Sequence, residues 1–210
     1  MSDYIFPFDT CETPNKNGIA QPYSVLFNLI NCFIIFFFLI KTKQNYTFML
    51  LFAIFCFELF HVFSHIIHIQ GPIQINITHS LSYFINLSFL YLFYSYTNKL
   101  PSFWFILYLI VLICFDIYYI FNLNFIYYLL TQSFIFISLL LYYFKYLPKF
   151  IKNTIYKIVF LVGIIILLFL NEKYNCKKML EFYPYFPYHI FIEIFGIIIF
   201  YVICSNFYKL

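Results

Sequence analysis

Histidine is the residue type whose spacing in this sequence points most directly to chemistry. Four ionisable residues follow one another at steps of three, four and three: Glu58, His61, His65 and His68. Residues at these steps lie on one face of an α-helix. Imidazole is the commonest metal ligand in proteins and also moves protons near neutral pH. One helix face therefore carries several groups able to bind a metal or transfer a proton, with Glu58 either pairing with His61 or supporting the site as an outer acid.

The remaining histidines extend the pattern to two other segments. His189 and Glu193 are four residues apart, a spacing at which two helical side chains can hold one metal ion. Ser64 is four residues before His68, and His79 begins a third segment. A lone histidine more often bonds a backbone carbonyl, but this convergence favours a metal site. Imidazoles with one carboxylate and without paired thiolates suit zinc.

The composition of the chain indicates where these residues lie. Its 210 residues are 64% hydrophobic and 10% charged, with a mean hydropathy of +0.89, whereas soluble domains have about 25% charged residues. Too few polar groups exist to cover a water-exposed surface, which excludes an ordinary soluble protein. The 33 Phe and 22 Tyr also argue against disorder and nucleic-acid binding. Ionisable groups inside a membrane are costly, so they mark a functional site or a buried pair.

Seven segments are long and apolar enough to cross a membrane as helices. They are residues 23–40, 47–69, 79–96, 103–121, 125–147, 154–170 and 186–205. The sequence therefore predicts an all-α membrane protein in which an N-terminal arm, residues 1–22, precedes a bundle of seven transmembrane helices, residues 23–210.

The lysines predict how the chain is oriented. Seven of them fall on one side of the predicted membrane: Lys41, Lys43, Lys99, Lys145, Lys149, Lys152 and Lys209. The lysine-rich side is expected to be cytosolic. This places the N-terminus in a lumen or outside the cell and the C-terminus in the cytosol. All five histidines then lie near luminal helix ends.

The N-terminal arm contains oxygen ligands and a cysteine. The oxygen-bearing residues are Asp9, Thr10, Glu12, Asn15, Asn17 and Gln21. Carboxylates, carbonyls and amides bind hard cations such as calcium, although solvated arms have a similar composition. Cys11 and Cys176 both map to the predicted luminal side, which is oxidising in secretory membranes. They form either a disulfide that ties the arm to the last luminal loop or two free thiols.

Three patches of the chain resemble the alkaline ceramidases, which belong to the CREST group of seven-helix membrane hydrolases. The first patch is Asp9-x-Cys11-Glu12 followed by the run from Ile19 to Asn28. The second is Ser64-x-x-x-His68 with His79 eleven residues on, and the third is Cys176 followed by Phe186-Pro187-Tyr188-His189-x-x-x-Glu193. Together they span nearly the whole chain in the family's order.

The resemblance implies a zinc site and a calcium site. The implied zinc set is His68, His189, His79 and Glu193, with Ser64 beside it, and the implied calcium ligands are those of the arm. The family has an acid where this chain has His79, and a second histidine where it has Glu193. Because these two differences from the family exchange the positions of one imidazole and one acid, the set of ligand types stays the same. In the arm, Thr10 and Gln21 replace a Trp and a Glu of the family.

The expected function is zinc-dependent hydrolysis of the amide bond of a ceramide-like lipid in an endoplasmic reticulum or Golgi membrane. Glu193 would accept a proton from water and Ser64 would stabilise the oxyanion. Alternatively Glu193 binds zinc and His79 is the base. Two other functions stay open: an inactive heptahelical lipid-binding or receptor-like protein, and a metal-ion transporter that uses the histidines of the second helix as a relay.

Overall fold

The computed structural model of the protein describes residues 4–5, 11–12, 18–67, 69–70, 72–121, 125–184 and 186–210. Within these ranges the α-helices are α1 (Pro22–Leu39), α2 (Asn45–Ile66), α3 (Pro72–Thr97), α4 (Phe103–Phe121), α5 (Phe125–Tyr143), α6 (Lys149–Phe182) and α7 (Ile190–Phe207). A 3-10 turn, Phe144–Tyr146, follows α5. Two short strands, β1 (Tyr4–Ile5) and β2 (Ile69–Gln70), pair antiparallel.

Five helical segments of the described chain are long and apolar enough to cross a membrane. They are Pro22–Leu39, Asn45–Ile66, Phe103–Phe121, Lys149–Glu172 and Ile190–Phe207. Their outer surfaces expose large apolar side chains such as Phe33, Tyr118 and Leu167, which lipid solvates. The chain is therefore a multi-pass membrane protein. The helices α3 and α5 are not among the five, so the count of seven spans and the orientation of the termini stay predictions.

The packing of the helices brings distant parts of the sequence together. Helix α1 packs against α2 and α7, while α6 packs against α7 and α4 against α5. Side chains such as Ile35, Leu50 and Ile203 are buried between them. Because lipid tails are as apolar as these side chains, close packing holds the helices together. The contact of α1 with both α2 and α7 places the histidines of α2 beside those of α7.

Helix α6 is longer than the sequence predicted. The sequence predicts a span that ends at residue 170 and a loop from Asn171 to Pro184, but the helix continues to Phe182. The segment contains strong helix formers such as Lys, Glu, Met and Leu. It ends where the residue before Pro184 is disfavoured in helical conformation, and Tyr183 has φ −133° and ψ 85°. The continued helix places Glu172 and Cys176 on one face.

Candidate metal centre

Three ionisable side chains converge at one end of the bundle. His65 lies in the last turn of α2, His189 immediately precedes α7, and Glu193 lies in the first turn of α7. All three are buried, and their ligand atoms lie within 4.8 Å of one another. Glu193 Oε1 is 3.1 Å from His189 Nε2 and 3.3 Å from His65 Nε2. One carboxylate oxygen therefore faces two imidazole nitrogens.

The opposite edge of each imidazole ring contacts an outer oxygen. His189 Nδ1 donates to Glu172 Oε2 at 2.8 Å, and His65 Nδ1 contacts Gln21 Oε1. A neutral imidazole carries a proton on one nitrogen and a lone pair on the other. A neutral ring that donates through Nδ1 presents its Nε2 lone pair to Glu193 Oε1, whereas a protonated ring donates from Nε2 to the same oxygen.

Glu193 is engaged through both of its carboxylate oxygens. Asn28 on α1 donates through Nδ2 to Glu193 Oε2 at 2.9 Å, which leaves Oε1 to face the imidazoles. Lone pairs that converge in this way repel one another unless a cation or protons lie between them. Two imidazoles and a carboxylate with hydrogen-bonded outer partners match a zinc site with three protein ligands and an open fourth position. The residues present therefore fit a divalent metal ion.

A further imidazole lies beside this group. His61 Nε2 is 3.0 Å from His65 Nε2, and His61 Nδ1 is 3.8 Å from Glu58 Oε1. The second distance is that of an ion pair rather than of a hydrogen bond. The side chain of His61 is 30% exposed and that of Glu58 only 3%. The residues predicted to share one face of α2 thus extend from His65 into the bundle, and Glu58 pairs with His61.

The N-terminal arm is joined to the residues around the site. The Cys11–Cys176 disulfide links it to α6, which confirms the predicted bridge. The Cys11 amide donates to Glu172 Oε1 at 2.6 Å, and the Cys11 carbonyl accepts from the Tyr188 amide at 3.2 Å. Because Glu172 also accepts from His189, one carboxylate connects the arm to a candidate metal ligand.

Glu12, the next residue of the arm, binds the start of α1. Its carboxylate accepts hydrogen bonds from the amides of Tyr23 and Ser24 and, at 2.6 Å, from the Ser24 hydroxyl. The first turn of a helix has free N–H groups and a positive dipole end, which favour a carboxylate there. Burial raises the pKa of the Glu12 carboxyl, while the hydrogen bonds from Ser24 and Tyr23 act in the opposite direction.

The chain just before α1 runs along the end of α2. The Ala20 amide donates to the Ile66 carbonyl at 3.2 Å, and the Gln21 amide donates to the His65 carbonyl at 3.0 Å. These backbone hydrogen bonds bring the Gln21 side chain to the His65 ring. Loop residues of the arm thereby set the orientation of a helical histidine.

Two of the four residues predicted to hold zinc belong to the converging group. These are His189 and Glu193, as their spacing suggested. His68 lies outside the described residues. His79 is buried on α3 but is not a member of the group among the residues that the structure describes. His65, for which the sequence left the role open, stands beside His189 and Glu193 instead.

The predicted catalytic serine is bonded within its own helix. The Ser64 hydroxyl donates to the Phe60 carbonyl at 3.2 Å, and the side chain is buried. Its expected role at an oxyanion stays a prediction, as do the catalytic roles expected of His79 and Glu193.

The predicted calcium ligands are only partly described. Asp9, Thr10, Asn15 and Asn17 lie outside the described residues. The two remaining members contact different partners, since Glu12 binds the start of α1 and Gln21 binds His65. The calcium site therefore stays a prediction.

Glu172 and Asn28 both contact the site, although the sequence predicts no role for either. For Glu172 the sequence signal was an acid at the end of an apolar span, since its place on the helix face that meets the arm depends on the continuation of α6 to Phe182. Asn28 is a polar residue within the first predicted span, and such a residue is expected to face a buried partner.

The chain was compared with protein-family models, with curated proteins and with solved structures, and none of them matches it. The chemistry assigned to the site therefore rests on its own geometry and on the short patches of sequence described above.

Proposed function

We propose that the protein is a zinc-dependent hydrolase that cleaves the amide bond of a ceramide-like lipid within the membrane. The observation that carries the proposal is the convergence of His65 Nε2 and His189 Nε2 on Glu193 Oε1, with each ring bound on its far side by an oxygen. A membrane lipid is the proposed substrate because the site lies at the end of helices whose outer surfaces are apolar. The resemblance to the alkaline ceramidases supports the amide bond as the target.

In this proposal His65, His189 and Glu193 are the zinc ligands. Bound zinc would polarise the substrate carbonyl and lower the pKa of a water molecule to about 7. Glu172 and Gln21 fix the two imidazole rings so that Nε2 faces inward. With one oxygen bonded to Asn28 and the other in the ligand group, Glu193 acts as a ligand rather than as the base.

Amide hydrolysis also requires a group that removes a proton from water and delivers it to the leaving amine. Among the described residues His61 lies beside the ligand group, with Nε2 3.0 Å from His65 Nε2. Its Nδ1 faces the buried Glu58 carboxylate, an orientation that leaves Nε2 directed at the site. We assign the proton transfer to His61 and the positioning of its ring to Glu58, in place of the role expected of His79.

The same proposal includes the orientation of the chain. We infer seven spans, a luminal N-terminus and a cytosolic C-terminus in an endoplasmic reticulum or Golgi membrane. The disulfide supports a luminal location for the metal centre, because disulfides persist in oxidising compartments and Cys11 adjoins the site. The lysines at the opposite helix ends support the same orientation. Labelling of cysteines introduced at residues 43 and 186 in sealed microsomes tests it, since only the former should react from the cytosolic side.

The function is tested with purified protein in detergent micelles. Metal analysis should find zinc bound in proportion to protein, and the loaded protein should release fatty acid from one or more of a panel of ceramides. His65→Ala and His189→Ala should lose both zinc and activity, while Ser64→Ala should retain zinc. Folded, zinc-loaded protein that hydrolyses none of the ceramides would contradict the hydrolase and favour the non-catalytic lipid-binding alternative. Zinc uptake into vesicles by reconstituted protein would favour the transporter.

A further inference from the structure

The helix ends opposite the metal centre carry most of the positive charge of the protein. Seven lysines lie there, and we call them the lysine rim: Lys41, Lys43, Lys99, Lys145, Lys149, Lys152 and Lys209. The eight acidic residues of the sequence belong instead to the N-terminal arm or to helix segments nearer the metal centre: Asp3, Asp9, Glu12, Glu58, Asp116, Glu172, Glu181 and Glu193. Among the residues that the structure describes, no acidic side chain forms an ion pair with a lysine of the rim.

Contacts between helix ends gather these lysines on one surface. The Tyr46 hydroxyl at the start of α2 donates to the Leu210 carbonyl after α7, at 2.8 Å. The Tyr143 hydroxyl at the end of α5 donates to the Lys99 carbonyl at 3.0 Å. Lys152 Nζ donates to the Lys145 carbonyl at 3.2 Å. The connections that carry the lysines thus belong to one end of the bundle.

Aromatic rings hold several of these amines at the helix ends. Five amines lie 3.5–5.8 Å from a ring centre: Lys41 over Phe37, Lys99 and Lys145 over Tyr146, Lys152 over Phe144, and Lys209 over Tyr208. A cation over an aromatic face is attracted without losing its charge. Tyrosine rings also favour the headgroup level of a bilayer. The amines are therefore positioned at that level while their charge stays available.

The charge of the rim is not neutralised within the described chain. Every ion pair found among the described residues joins a histidine to a glutamate at the metal-centre end. Six of the seven rim lysines are exposed, and Lys152 is half-buried. Exposed apolar side chains, Leu100, Phe103 and Trp104, directly follow Lys99. Exposed apolar groups thus lie next to a cationic group at this end of the bundle.

We propose that the lysine rim binds the headgroups of anionic phospholipids, of the phosphatidylserine and phosphatidylinositol class, in the leaflet opposite the metal centre. An ammonium group is a compact charge that pairs with phosphate, and clustered lysines beside membrane helices attract anionic lipids. The lysines are spread around the bundle end and flanked by lipid-facing side chains, which fits a ring of lipid headgroups better than one soluble anion. The proposal is independent of zinc and of hydrolysis.

The experiment uses the full chain in nanodiscs, whose two faces are both accessible, so the outcome does not depend on orientation during insertion. Replacing part of the phosphatidylcholine with phosphatidylserine should raise the unfolding temperature by about 2–4 °C or more, and native mass spectrometry should detect retained phosphatidylserine. High salt should abolish the gain in the unmutated protein. A variant with Lys41→Gln, Lys43→Gln, Lys145→Gln and Lys149→Gln should lose the gain.

The matched control carries Lys177→Gln and Lys178→Gln, two exposed lysines on α6 at the metal-centre end, and should keep the gain. Replacing the same four rim lysines with Arg should also keep it and serves if the Gln variant fails to fold. The proposal is overturned if phosphatidylserine has no effect on the unmutated protein, or if the control loses the gain while the rim variant keeps it. Equal stabilisation by soluble inositol phosphate would also overturn it, since the anion would then not need to be a lipid.

Discussion

Glu172 accepts a hydrogen bond from His189 Nδ1 through Oε2, at 2.8 Å, and from the Cys11 amide through Oε1, at 2.6 Å. A single carboxylate therefore orients a candidate metal ligand and attaches the N-terminal arm. It lies on the part of α6 next to the disulfide, so the covalent bridge and the hydrogen bonds hold the same two segments together.

Glu172→Gln should weaken zinc binding by about 10–100-fold, the usual effect of losing an outer partner of a metal-binding histidine. Competition with a chromogenic chelator measures the affinity. The control is Glu181→Gln, because Glu181 lies on the same helix but is exposed. Equal zinc affinity in both variants would show that Glu172 does not orient His189.

His65→Ala should abolish zinc binding, whereas His79→Ala should leave it nearly unchanged. The reason is that His65 belongs to the converging group and His79, on α3, does not. Metal analysis after purification in zinc-containing buffer distinguishes them. The opposite pattern would restore the ligand set implied by the sequence resemblance and would remove His65 from the site.

Asn28→Leu should destabilise the metal-free protein by about 1–3 kcal/mol, because Glu193 Oε2 would lose its donor and stay buried. The control is Asn31→Leu on the same helix. Asn31 is equally buried, but its Oδ1 has no hydrogen-bond partner in the described structure. Unfolding in mild detergent compares the two, and a larger loss for the Asn31 variant would contradict the assignment.

Cys176→Ser should lower stability by about 2–4 kcal/mol, because the disulfide closes a loop between positions 165 residues apart. Thermal unfolding with and without reductant measures the loss, and reductant should have no further effect on the variant. Cys114→Ser, at an exposed free cysteine, should behave like the unmutated protein. If reductant leaves the unfolding temperature of the unmutated protein unchanged, the bridge contributes no stability.

Asp116→Asn should be tolerated or stabilising, whereas Asp116→Leu should be destabilising. Asp116 is fully buried in α4, and its Oδ2 accepts from the Tyr83 hydroxyl and from Gln132 Nε2. Asparagine keeps an acceptor for both donors without a charge in the membrane, while leucine removes the acceptor that both donors use. Unfolding temperatures rank the variants, and a leucine variant as stable as the asparagine variant would contradict this interpretation.

Several features of the structure could be predicted from the sequence because hydropathy and residue spacing restrict the structures that the chain can form. Apolar runs of membrane-spanning length form helices, since lipid offers no partners to an open backbone. The His189–Glu193 pair follows from helical spacing. The predicted placement of Cys11 and Cys176 on one side of the membrane allowed either a bridge or two free thiols, and the structure contains the bridge.

Other features depend on where helices end, which hydropathy does not determine. Helix α2 ends at Ile66, before His68, so the spacing of the histidines alone does not identify the histidine that turns toward α7. Helix α6 continues beyond its apolar segment to Phe182, whereas the sequence predicts a loop at Glu172. The ends of both helices depend on local backbone hydrogen bonding and on the arm, rather than on composition.

The disulfide has a consequence for the order in which the protein matures. Its two cysteines are 165 residues apart, so Cys11 cannot form the bridge until Cys176 has been synthesised, and Glu193 follows later still. The candidate metal centre is therefore completed only after the first turn of α7 has been made. A metal ion bound at this candidate site would therefore not nucleate the fold as zinc does in small zinc domains, and a chain truncated before Cys176 would lack the bridge, His189 and Glu193.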